Sequence, residues 1–93
     1  MKAETVKKYI SKLVEGEEFD TGCKFHGSLK AVGLEIHGED VMWKVDQGDV
    51  KAGKVEVVGD SVALLSVPQD KIEVFVVPLA RIKYLKLVYE DRK

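Results

Sequence analysis

Cys23, His26 and His37 are the residues best suited to hold a metal, because Cys-x-x-His has the spacing of zinc ligands. A structural zinc wants four such groups. The chain has one cysteine and two histidines, so Asp20 or Glu39 would have to complete the set. Ordinary loop residues are the simpler reading, and no metal or cofactor is expected. Cys23 beside a histidine could also be a nucleophile with its base, but no orienting partner or oxyanion-hole motif accompanies the pair. The acids Asp20, Glu39, Asp40, Asp46, Asp49, Asp60 and Asp70 fall where turns are expected. A carboxylate pair could cleave glycosides, yet turn chemistry accounts for Asp at most of these positions. No phosphate-binding loop, dinucleotide fingerprint or nucleophile elbow is present. The expectation is a protein that is not an enzyme.

Two other groups could bind rather than react. Trp43 and Phe75 have the character of interface anchors. Trp43 keeps step with Val41 and Val45, which favours a place in the core. Arg81, Lys83, Lys86, Arg92 and Lys93 stand against Glu90 and Asp91 over the last thirteen residues. This mild basic excess suits a solvated strand face or a surface that touches phosphates. The whole chain carries 15 basic and 16 acidic residues, so the overall balance does not mark a nucleic-acid binder.

The elements that must position these residues follow from periodicity. Ninety-three residues, 45% hydrophobic and 33% charged, make one globular domain. Over 3–15, Val6, Tyr9, Ile10, Leu13 and Val14 form an apolar stripe at helical spacing, and Gly16 ends it. From residue 17 glycines recur every five to ten residues, and the runs between them are rich in Val, Ile and Leu. Strands are predicted at 41–45, 54–57, 61–67, 72–77 and 82–89, with Pro68 to Lys71 as a turn and 90–93 as a charged tail. Pro78 argues that the fourth of these runs is an edge or a bend. Val74 and Val76 alternate with Phe75 and Val77, so one apolar set must face away from the core, as at a subunit interface. No apolar run is long enough to cross a bilayer and no signal peptide precedes the helix, so a cytoplasmic protein without membrane contact is expected.

Asp20–Gly33 echoes Asp46–Gly59 at an offset of 26 residues, sharing Asp, Gly and Val positions. A duplication would produce this echo, and so would two similar turn-and-strand units.

Residues 41–85 resemble an Sm-like domain, the small barrel shared by LSm proteins and the bacterial RNA chaperone Hfq. Val41–Gly48 has the form of that family's first strand and turn. Gly48 to Gly53 keeps its glycine gap, Gly53–Leu65 follows its second and third strands, and Val74–Ile82 sits where its second motif falls. The last strand is then Lys83 to Leu87. The family's ligand residues are replaced, since Val76 and Val77 stand for a Lys-His pair and Ser61 for a base-stacking aromatic.

The resemblance implies a mainly β fold, a small SH3-like or Sm-like barrel of five or six strands with an N-terminal α-helix. In that register 17–40 is an extra hairpin or loop, and 41–89 is the barrel. It further implies a non-enzymatic assembly module, a homo-oligomeric ring with at most weak RNA binding to the backbone. Asp60, Arg81, Lys83 and Lys86 would meet RNA. Ile72, Val74, Phe75 and Val76 would meet Lys83, Leu85 and Leu87 of the next copy. The alternative is a protein-interaction or scaffold module with no nucleic-acid ligand.

Overall fold

The computed structural model describes residues 1–20 and 28–91. They form helix α1 (Ala3–Glu15), strands β1 (Glu18–Asp20), β2 (Ser28–His37) and β3 (Met42–Asp46), and a short helix α2 (Gln47–Lys51). Then come β4 (Val55–Val58), β5 (Ser61–Ser66), β6 (Glu73–Pro78), a 3-10 turn at Leu79–Arg81, and β7 (Tyr84–Asp91). The chain is mainly β with an N-terminal helix, as its two periodicities predict.

α1 forms where its apolar stripe lies and buries Val6 and Leu13 completely. Each such side chain contributes roughly 1.5–3 kcal/mol through burial, which a helix too short to be stable alone requires. Gly16 stops it with φ 65°, a left-handed conformation cheap only for glycine. The N–H of Glu17 donates to the Lys12 carbonyl (3.0 Å) and that of Gly16 to Leu13 (3.1 Å), which ties off the last turn. The Gln47 amide donates to the carbonyls of Leu13 (3.1 Å) and Val14 (3.2 Å), locking the end of α1 to the start of α2. At its other end, the Met1 ammonium donates to the Leu79 carbonyl at 3.0 Å.

β2 is the spine of the first sheet. β7 runs antiparallel along one edge, from His37↔Tyr84 to Leu29↔Asp91, with a register shift between Ala31 and Gly33. β1 and β3 share the other edge, β1 against 28–30 and β3 against 33–37. The second sheet is the meander β4-β5-β6, turned between β4 and β5 at Gly59, whose φ is 59°. Among the described residues no ladder joins the two sheets, so they form an open pair rather than a closed barrel. They share one core, to which β2 gives Leu34 and Ile36, β5 gives Val62 and Leu64, and β6 gives Val77.

Three features depart from the sequence reading. The segment 17–40, left by the Sm-like register as an extra hairpin or loop, supplies β1 and the central strand β2. With it the described residues hold seven strands, of which the five from β3 to β7 make up the stretch where five or six were expected. The β7 strand pairs with this segment. The glycine gap from Gly48 to Gly53, where Asp49 was expected in a turn, is largely helical, because Asp46 and Asp49 form a capping box. The Asp49 N–H donates to Asp46 Oδ1 (2.7 Å) and the Asp46 N–H to Asp49 Oδ2 (3.1 Å). The glycines equated by the 26-residue echo also do different work. Gly33 lies inside β2, whereas Gly59 makes a turn. The rest of that comparison, over 21–27, falls outside the described residues, as do Cys23, His26, Arg92 and Lys93. Among the described residues no helix is long and apolar enough to cross a membrane.

Candidate functional site, an open seam between two strand edges

β6 pairs only with β5, which makes it an edge of its sheet among the described residues, and Pro78 closes it. The parity question raised by the sequence has a definite answer. Phe75 and Val77 take the core side, with Val77 buried, and Val74 and Val76 point outward. Val74 is 57% exposed, Val76 64%, and Ile72, just before the strand, 72%. Even Phe75, on the core side, is 44% exposed.

The reason lies across from it. Among the described residues β3 is an edge of the other sheet beyond β2, and its core-side residues Trp43 and Val45 are only partly buried against the core. Between β3 and β6 runs a cleft of about 640 Å³, walled by the Gly38–Val41 turn and Trp43 on one side and by Phe75–Pro78 on the other. A second hollow of about 290 Å³ continues it past Val45 and Leu64 to Val67. Trp43 and Phe75 line both, so they form the waist of one seam. Here the core is not covered.

Charge collects at the wider mouth. Glu39 and Asp40 stand on the β2–β3 turn, Arg81 ends the 3-10 turn and Lys83 follows it. Among the described residues no ion pair joins the two lips. Asp60 is exposed in the β4–β5 turn, where its carbonyl accepts the Leu79 N–H at 2.8 Å. Of the residues expected to meet RNA, Arg81 therefore ends the 3-10 turn, and Asp60 and Lys83 stand beside it. Lys86 stands apart, on β7 opposite Glu35. Of the expected interface residues, Ile72, Val74, Phe75 and Val76 are exposed. Lys83 is exposed and its N–H donates to the His37 carbonyl at 2.7 Å. Leu85 and Leu87 pack against the core instead.

The outer face of the first sheet carries a polar constellation that the spacing of its members along the chain does not reveal. His37 Nε2–H donates to Glu35 Oε1 at 2.8 Å, and its ring stacks on Tyr84 with centroids 4.3 Å apart and planes 12° from parallel. Lys44 and Lys86 are the cross-strand neighbours of Glu35. The bond from His37 first, and the nearby lysines with it, hold the Glu35 carboxyl below the ordinary carboxylate range, against the opposing effect of desolvation. These are the contacts of a satisfied sheet face, and among the described residues no cluster of His, Cys, Asp or Glu has the make-up of a metal site.

The seam is what the sequence reading missed. Its signal was a lone tryptophan on an alternating strand beside exposed Val41 and Met42. No protein-family model, curated protein or solved structure matches the chain, so the seam is interpreted on its geometry alone.

Proposed function

We propose that this chain is a non-enzymatic assembly module that joins copies of itself through β6. The observation that carries the reading is an edge strand exposing Val74, Phe75 and Val76, preceded by an exposed Ile72. Unpaired strand edges with apolar side chains are a hazard that proteins cover. β7 offers the matching edge, since among the described residues it pairs only with β2, and its outward residues include the exposed Tyr84 and the half-buried Val88. Pairing β6 of one copy with β7 of the next is head-to-tail, and such a contact terminates only by closing a ring. The Sm-like resemblance supports the same geometry. RNA binding in this reading is weak and directed at phosphates, through Arg81, Lys83 and Lys86.

Light scattering at micromolar concentration tests the assembly. The expected mass is a multiple of the monomer, and the double variant Val74→Lys, Val76→Lys returns it to the monomer with little change in melting temperature. A parent protein that is cleanly monomeric overturns the reading.

A further inference from the structure

We infer that Tyr84 is a stacking platform for the bases of single-stranded nucleic acid, set among the cations that hold its phosphates. This base contact rests on the phosphate contacts proposed above and adds to them. The first observation is the ring itself. Tyr84 opens β7 and is 52% exposed, whereas Tyr9 and Tyr89 are half-buried. One face of its ring lies on the His37 imidazole, with centroids 4.3 Å apart and planes 12° from parallel. The imidazole is fixed in turn by its bond to Glu35 at 2.8 Å. The ring is therefore held in place without being buried, and a base that stacks on it pays little for ordering. Such a platform accepts any base, because every base has a π-face.

The second observation is the charge around the ring. Arg81, Lys83 and Lys86 lie within three positions of Tyr84, all are exposed, and 81–86 contains no acid. Among the described residues none of these three cations forms an ion pair. Lys86 follows Tyr84 on the same face of β7, about 7 Å along the strand. Glu35, the acid opposite Lys86, is already engaged by His37. Glu39 and Asp40 on the neighbouring turn reduce the field, so the phosphates alone bind weakly and a base contact is a sizeable share of the affinity. The cations also choose among flat ligands, since they favour a ring flanked by phosphates over an aromatic side chain of a protein. Assembly does not consume these groups. Strand pairing uses the backbone edge of β7, and Tyr84 and Lys86 stand on the outer face of the sheet.

Fluorescence anisotropy with the full chain at low salt tests the platform. The probes are a labelled oligo-A strand and an abasic strand of the same length, which keeps the phosphates and lacks the bases. The parent should bind oligo-A on the order of tenfold more tightly than the abasic strand. Tyr84→Leu should bind both strands alike, at the level of the abasic one, and Tyr84→Phe should keep the preference. Circular dichroism and light scattering verify that both variants retain the fold and mass of the parent. Equal binding of the two strands by the parent overturns the stacking and leaves the phosphate contacts standing. A preference that survives Tyr84→Leu, or that vanishes in Tyr84→Phe, overturns it as well. Binding of neither strand overturns the stacking and the phosphate contacts together, while self-assembly is judged by the mass of the parent alone.

Discussion

Glu35 and His37 lie two residues apart on β2 and so share the outer face of its sheet, where Tyr84 covers the imidazole. Their bond has a consequence for acid stability. The folded chain holds the Glu35 carboxyl below its unfolded value of about 4.3. A carboxyl lowered in this way stabilises the fold above the unfolded value and loses that contribution as pH falls through the lowered one. Glu35→Gln should therefore flatten the acid limb. Between about pH 5 and pH 3 its melting temperature should fall less than that of the parent. Melting curves at half-unit steps read this, and parallel falls in the two proteins would show that the carboxylate contributes nothing. Tyr89 shows the opposite case, since burial and then the nearby Glu17 carboxylate push its hydroxyl up.

At the scale of elements, α2 has the least to stand on. Five residues cannot hold a helix in water by themselves. It survives because Asp46 and Asp49 cap it, Val50 is buried beneath it, and Gln47 is tied to α1. Asp46→Ala removes the cap and should cost about 1 kcal/mol, whereas Asp46→Asn keeps an acceptor there and should cost only a few tenths. Urea unfolding reads both from the midpoint at constant slope. If the alanine variant unfolds at the parent's midpoint, the capping box is not what holds α2. The Asp-x-x-Asp pattern was visible in the chain, but between glycines it looked like turn chemistry. The helix needed the end of α1 to rest on.

For the molecule as a whole, a radius of gyration of 14.2 Å exceeds the roughly 12 Å of a compact domain this long, in keeping with sheets that do not close. With a net charge of −1, the chain cannot attract nucleic acid by its overall field. Any RNA binding must come from local cations, chiefly Arg81 and Lys83 beside the 3-10 turn. Fluorescence anisotropy with oligo-U, oligo-A and a mixed strand should give micromolar or weaker affinities at low salt. Log affinity should fall with log salt by roughly 0.7 per phosphate neutralised. Arg81→Glu with Lys83→Glu should abolish binding, while Ser61→Ala leaves it in place. Tight binding of one sequence that survives high salt would contradict this account.

Local periodicity alone determined α1, the alternation of β3, and the runs of β4, β5 and β6, because each writes its own burial pattern into consecutive residues. It also gave Pro78 an edge or a bend and showed that one apolar set on β6 must face outward. Which set faces out depended on what lies under the strand. Val77 lies opposite Val62 on the buried side of the sheet, whereas Val74 and Val76, opposite Leu65 and Ala63, stay exposed. The role of 28–37 was equally hidden. A run that reads as an insertion becomes the centre of a sheet only when β7, about fifty residues later, returns to pair with it. The seam belongs to the same class. Trp43 and Phe75 are thirty-two residues apart in the chain, and nothing local tells either that the other forms the opposite wall. That these two strand edges line one cleft, unpaired among the described residues, is a property of how the sheets stack, which only the tertiary structure decides.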